Sequence, residues 1–77
     1  MNKKKPYLSV VIPAYNEEEN FKKGALKRAA LYLENFPYLY EVLVIDDGST
    51  DKTVGLVGRF IKDKNNWRLI KGVHKGK

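Results

Sequence analysis

The 77-residue sequence contains no cysteine. Disulfide staples and thiolate zinc sites are therefore excluded, and the redox compartment leaves no mark on the chain. No apolar run approaches the ~20 residues that cross a bilayer. The basic start at Lys3, Lys4 and Lys5 leads into a short apolar run that stops at Pro13, which is not the pattern of a secretory leader. Glycine-rich phosphate loops are missing as well. The loop Pro13-Ala14-Tyr15-Asn16-Glu17-Glu18-Glu19 has no glycine and three glutamates. A dinucleotide fold needs Gly-x-Gly-x-x-Gly there so that backbone can approach a pyrophosphate, and this loop would repel one. Gly-x-x-x-x-Gly-Lys-Ser/Thr is also absent, which excludes a P-loop.

What is present is basic and small. Fifteen Lys and Arg against nine Asp and Glu give a net charge of +6. The basic stretches are 3–5, 22–28 and 62–77; Glu17 to Glu19 and the Asp46, Asp47, Asp51 group are acidic. Solvated surface accounts for most such stretches, and anionic lipid headgroups or a phosphate-bearing substrate are the next reading. Nucleic acid is not expected, because no binding motif occurs and the acidic groups would repel a phosphate backbone. Residues 1–77 make one domain with a marginal core, of the size that rarely supplies more than ~3–5 kcal/mol.

The apolar periodicity alternates between strand and helix. Residues 7–12 read as a strand, and residues 17 to about 35 as a helix with Phe21, Ala25, Ala29, Tyr32 or Leu33, and Phe36 on one face. Phe36-Pro37 ends that helix, since the residue before proline is pushed out of the helical region. Residues 41–46 read as a second strand. Ser49 or Thr50 caps a second helix, with Asp51 in its first turn and Val54, Val57, Phe60 and Ile61 as its buried stripe. Gly55 and Gly58 weaken that helix by ~1 kcal/mol each. Asn65-Asn66 breaks the pattern, and residues 67–70 form a third strand before a glycine-containing basic loop.

This βαβαβ order implies a Rossmann-like parallel sheet of the α/β class. Val10-Val11-Ile12 and Val42-Leu43-Val44-Ile45 are apolar at consecutive positions, as in strands covered on both faces. In a 3-2-1 strand order, right-handed crossovers put both helices on one face and leave the other bare, with the first strand an open edge. A 2-1-3 order would cover both faces thinly. In either order the ends of the first two strands carry polar groups where open α/β sheets bind ligands. Tyr15 offers an aromatic face for a base; Asp46, Asp47 and Glu17 offer acceptors for ring N–H groups or ribose hydroxyls. These suit the nucleoside end of a ligand whose phosphates need a cation from elsewhere. Each element alone has a plainer reading: Asp47-Gly48 is a common turn dipeptide, and Pro13 can simply end a strand.

Taken together, Ser9-Val10-Val11-Ile12-Pro13-Ala14-Tyr15-Asn16-Glu17-Glu18 and Val44-Ile45-Asp46-Asp47-Gly48-Ser49-Thr50-Asp51-Lys52-Thr53 resemble the opening of the family 2 glycosyltransferases. Val73-His74-Lys75-Gly76-Lys77 resembles that family's Asn-x-Gly-Lys-Gly loop, with His74 in place of the usual asparagine. The nearest subgroup in pattern is the dolichyl-phosphate and related polyprenyl-phosphate glucosyltransferases. The resemblance implies the GT-A nucleotide-diphosphosugar fold, with Pro13, Ala14, Tyr15 and Glu17 lining the nucleoside pocket, Asp47 on the base and Asp46 beside it, and Lys75, Gly76 and Lys77 near the nucleotide. It implies inverting hexosyl transfer from a nucleotide sugar, UDP-glucose being the implied donor, to a polyprenyl (dolichyl) phosphate.

The same resemblance places the Mg²⁺- or Mn²⁺-binding Asp-x-Asp motif, the catalytic base and the acceptor site outside these 77 residues; Asp46-Asp47 is not that metal motif. The chain is thus expected to be the nucleotide-binding half of a partial family 2 domain, with no catalytic residue or metal ligand of its own and no turnover alone. Its expected setting is the cytoplasm, at the cytoplasmic membrane face, with peripheral membrane contact and self-association through the bare sheet face. Two rivals belong to other classes: a non-catalytic nucleotide-binding or interaction module, and a phosphoacceptor receiver-like domain. The second is disfavoured because the third strand ends in Lys71-Gly72, not in an acceptor aspartate.

Overall fold

The computed structural model describes residues 8–72. Three parallel strands, β1 (Leu8–Ala14), β2 (Tyr40–Asp46) and β3 (Trp67–Lys71), alternate with helices α1 (Glu18–Lys22), α2 (Ala25–Glu34) and α3 (Thr53–Ile61). The sheet order is β1-β2-β3, so β2 is central and both outer strands are edges. This is the 3-2-1 arrangement. Val10 pairs with Val42 and Ala14 with Asp46; Val42 pairs with Trp67 and Asp46 with Lys71. The register brings the carboxyl ends of all three strands to one end of the sheet.

Both crossovers put their helices on the same face. Ala14, Leu26, Leu33, Val42, Val44, Val57 and Trp67 form the buried core there, with Leu8, Val10, Ile12 and Leu69 packed against it. Val42, Val44 and Val57 are fully buried, each burial contributing about 1.5–3 kcal/mol. Phe60 of α3 meets Trp67 of β3 edge-on, ring centroids 5.4 Å apart. The opposite face carries Val11 beside Leu43, and Pro13 beside Ile45 and Ile70. Val11 is 53% exposed and Ile70 41%. The strands are apolar on both sides, yet among the described residues only one side is covered.

Three local readings are corrected. The single helix over residues 17–35 is two helices. Gly24, at φ 95°, breaks it in the left-handed region, where a side chain costs about 1–2 kcal/mol. The break resets the buried face: Leu26 and Leu33 are buried, whereas Tyr32 is 82% exposed. Ser49 and Thr50 do not cap α3. The Asp51 carboxylate accepts from Thr53 N at 2.9 Å instead, because the Ser49 hydroxyl is held by Asp46. In α3, Thr53 is fully buried and Val54 only partly so. The chain reverses before β3 as expected at Asn65-Asn66, and Asn66 then joins the sheet: its carbonyl accepts from Val42 N at 2.8 Å and its amide donates to Tyr40 O at 3.2 Å.

Candidate functional site: a crevice between two strand-end loops

β1 and β2 end side by side, and Asp47 N donates to Ala14 O at 3.0 Å to extend their ladder by one rung. Beyond that rung the chains part into two loops. Asp46 closes the central strand with a carboxylate only 3% exposed. A buried carboxylate needs donors, and the following turn supplies them. Gly48, at φ 87°, turns its N–H back to Asp46 Oδ2 at 3.1 Å, and Ser49 N reaches the same oxygen at 3.2 Å. The Ser49 hydroxyl donates to Asp46 Oδ1. Asp46 therefore shapes the loop, and the next residue, Asp47, is exposed at the strand end.

The loops are laced to each other. Asn16 N donates to Ser49 Oγ at 2.9 Å, and Asn16 Oδ1 accepts from Thr50 N at 2.8 Å. Glu17 N donates to Thr53 Oγ1 at 2.8 Å, so the buried threonine is satisfied on both sides; its own hydroxyl donates to Asp51 Oδ1. Each helix start also uses a carboxylate from the other loop. Glu18 N donates to Asp51 Oδ2 at 3.2 Å, and Lys52 N donates to Glu18 Oε1 at 3.1 Å. These bonds satisfy N–H groups that helix starts leave unpaired.

Of the residues assigned from sequence, Pro13, Ala14, Tyr15, Glu17, Asp46 and Asp47 converge on this end of the sheet, though not in equivalent ways. Tyr15 is 52% exposed, whereas Ala14 is buried and contributes its backbone. Pro13 is exposed on the uncovered sheet face. The Glu17 carboxylate accepts from Asn20 Nδ2 at 2.7 Å. Lys75, Gly76 and Lys77 lie outside the described residues; Gly72, the last described, donates its N–H to Asp46 O at 2.7 Å.

The sequence matches Glycosyl transferase family 2 over residues 9–77. The chain belongs to that family. It is 39% identical over 72 residues to a dolichyl-phosphate beta-glucosyltransferase of Dictyostelium discoideum, covering 84% of this chain and 22% of that protein. It is 38% identical over 66 residues to the glycosyltransferase AglE of Haloferax volcanii, covering 84% and 21%. An undecaprenyl-phosphate 4-deoxy-4-formamido-L-arabinose transferase of Pseudomonas fluorescens is 39% identical over 57 residues, 69% of this chain and 16% of that protein. The chain thus spans about a fifth of the length of the curated relatives it matches.

The divalent cation implied by the family does not fit the carboxylates of this crevice. Among the described residues no three Asp, Glu or His groups come together as ligands. The carboxylates of Asp46, Asp51 and Glu18 already face donors of the two loops.

Sequence reasoning passed over Asn16, Glu18 and Thr53, which do much of the lacing. A signal existed for each: asparagine tolerates the left-handed turn after a strand, and Glu18 and Thr53 are polar at helix starts, where N–H groups need acceptors. Glu18 and Asp51 both have carboxyls shifted below their ordinary values of 4.5 and 3.8. For Glu18 the main cause is the Lys22 ammonium at 2.8 Å, then the bond from Lys52 N; for Asp51 it is the Thr53 hydroxyl, then the backbone bonds from Thr53 and Glu18. A lowered folded-state value stabilises the fold above the ordinary value, and that contribution is lost as pH falls through the lowered one. Melting temperature should therefore drop as pH falls below about 4.5, and Glu18→Gln and Asp51→Asn should each flatten that drop. Variant and wild-type melting curves that fall in parallel with acid would contradict the assignment.

Proposed function

We propose that this chain forms the nucleoside-binding part of a glycosyltransferase that moves a sugar from a nucleotide sugar, with UDP-glucose the first candidate, to a polyprenyl phosphate such as dolichyl phosphate. The observation that carries the reading is that Tyr15 and Asp47 directly follow the paired strand ends Ala14 and Asp46, whose loops are laced into one unit. In this reading the Tyr15 ring stacks on the base, the Asp47 carboxylate accepts a ring N–H, and Glu17 accepts from the ribose. Asp46 holds the loop and has no catalytic part. The polyprenyl-phosphate transferases among the relatives support the acceptor class.

The same reading puts the protein in the cytoplasm, at the membrane face where a lipid-linked phosphate is presented. The basic stretches and the exposed Leu31 and Tyr32 of α2 support peripheral contact there. No described helix is long and apolar enough to cross a membrane. Mg²⁺ or Mn²⁺, where the reaction uses it, takes ligands other than the crevice carboxylates. On the family resemblance, Lys75, Gly76 and Lys77 lie toward the nucleotide, and the two lysines would supply cations for a diphosphate. The family resemblance puts the base outside these residues, and in this reading the 77 residues bind nucleotide without turning over. Labelled UDP-sugar, Mn²⁺ and polyprenyl phosphate should give no product above a heat-treated control; product formation would overturn this part of the reading.

Asp47→Asn and Asp51→Asn separate ligand binding from scaffolding. Asp47→Asn should weaken UDP binding by roughly tenfold, because the charge-assisted hydrogen bond is about twice as strong as the neutral one. Asp51→Asn should lower the melting temperature and change UDP affinity less. Calorimetry with UDP that finds binding abolished in Asp51→Asn and intact in Asp47→Asn would place the pocket elsewhere. The uncovered face of Val11, Leu43, Ile45 and Ile70 supports self-association, since such a face and its open edges are templates for pairing. Sedimentation should show concentration-dependent association that Val11→Lys reduces. A monomer at all concentrations would contradict it.

A further inference from the structure

We infer that Asn16 is a positioning residue: its left-handed backbone and side-chain carbonyl clamp the β1–α1 loop to the β2–α3 loop and so set Tyr15 against Asp47. The role of this clamp in ligand binding rests on the nucleoside reading above. Among the described residues Asn16 is the one non-glycine residue with positive φ, at 52°. Asparagine is enriched in that region, because its short amide hydrogen-bonds locally. Here both halves of the residue are used across the gap. The backbone N–H donates to Ser49 Oγ at 2.9 Å, and the side-chain carbonyl accepts from Thr50 N at 2.8 Å.

The first bond continues inward. The Ser49 hydroxyl that accepts from Asn16 N donates its own proton to the buried Asp46 carboxylate. Asn16 N–H, Ser49 O–H and Asp46 form a relay in which the carboxylate polarises the hydroxyl, and bonds in such a chain strengthen one another. The relay ends one residue from each wall of the crevice. Tyr15 directly precedes Asn16, and Asp47 directly follows Asp46. Both helices start just beyond these loops, at Glu18 and Thr53. A slip between the loops therefore displaces the aromatic wall relative to the acidic wall while the sheet behind them stays paired.

Three substitutions dissect the clamp. Asn16→Gly keeps the left-handed backbone and removes the carbonyl; Asn16→Asp keeps both features; Asn16→Ala removes both. Ala30→Gly weakens α2 away from the crevice and controls for general destabilisation. The readouts are hydrogen exchange at the Thr50 amide and calorimetric UDP affinity, both on the 77-residue chain. Asn16→Gly should lose Thr50 protection and bind UDP about fivefold more weakly, the scale of one hydrogen bond. Asn16→Ala should lose more, Asn16→Asp should keep Thr50 protection, and Ala30→Gly should lower the melting temperature with UDP affinity unchanged. Wild-type Thr50 protection in Asn16→Gly would overturn the clamp. An equal loss of affinity in Ala30→Gly would overturn its positioning role. If the wild-type chain itself fails to bind UDP, the nucleoside reading falls and takes the ligand half of the inference with it; Thr50 exchange then decides the clamp by itself.

Discussion

The crevice depends on one buried carboxyl group. Asp46 ends the central strand on the face that the helices cover, where water does not reach it, and an unsatisfied carboxylate there would be strongly destabilising. The chain answers with a tight turn through Gly48 that brings two backbone N–H groups and one hydroxyl onto its oxygens. That turn fixes Ser49, Ser49 fixes Asn16, and Asn16 fixes the loop of the neighbouring strand. Asp46 and Asp47 are adjacent and chemically identical, yet strand alternation turns one inward as scaffold and leaves the other exposed.

The same alternation explains the shape of the domain. A 3-2-1 sheet with right-handed crossovers receives both helices on one face. The strands nevertheless carry apolar side chains on the other face as well, at Val11, Leu43, Ile45 and Ile70. The carboxyl end of the strands is cross-linked by side chains. Its two loops are tied by bonds between side chains and helix-start amides, and Glu18 and Asp51 each serve the helix that the other begins. On the proposed nucleoside reading, loops tied this way are organised before the ligand arrives, which lowers the ordering cost of binding.

Much of this was legible in the residues. Apolar runs ending in Pro13-Ala14-Tyr15 and Asp46-Asp47 located the strands and put their ends together, because parallel βαβ units leave little topological choice. Two strand orders remained open, since burial on one face or two reads the same in a run such as Val42-Leu43-Val44-Ile45. The break at Gly24 was missed because the apolar spacing carries on through it, and a lone glycine within a helical pattern is usually tolerated. The lacing was harder to see. Asn16, Glu18 and Thr53 act on residues more than thirty positions away, and their pairing depends on how two loops face each other across a sheet. Ser49 was misread as a cap for a related reason: local spacing favoured a helix start, while the buried carboxylate three residues earlier was the stronger partner.

On the proposed reading, a nucleoside binds between the two laced loops. Titrating the ¹⁵N-labelled chain with UDP tests it most directly. Saturable chemical-shift changes should centre on the amides of Tyr15, Asn16, Asp47 and Gly48. Residues 31–39, at the opposite end of the strands, should not change. Shift changes centred on those far residues, or no saturable change, would contradict it.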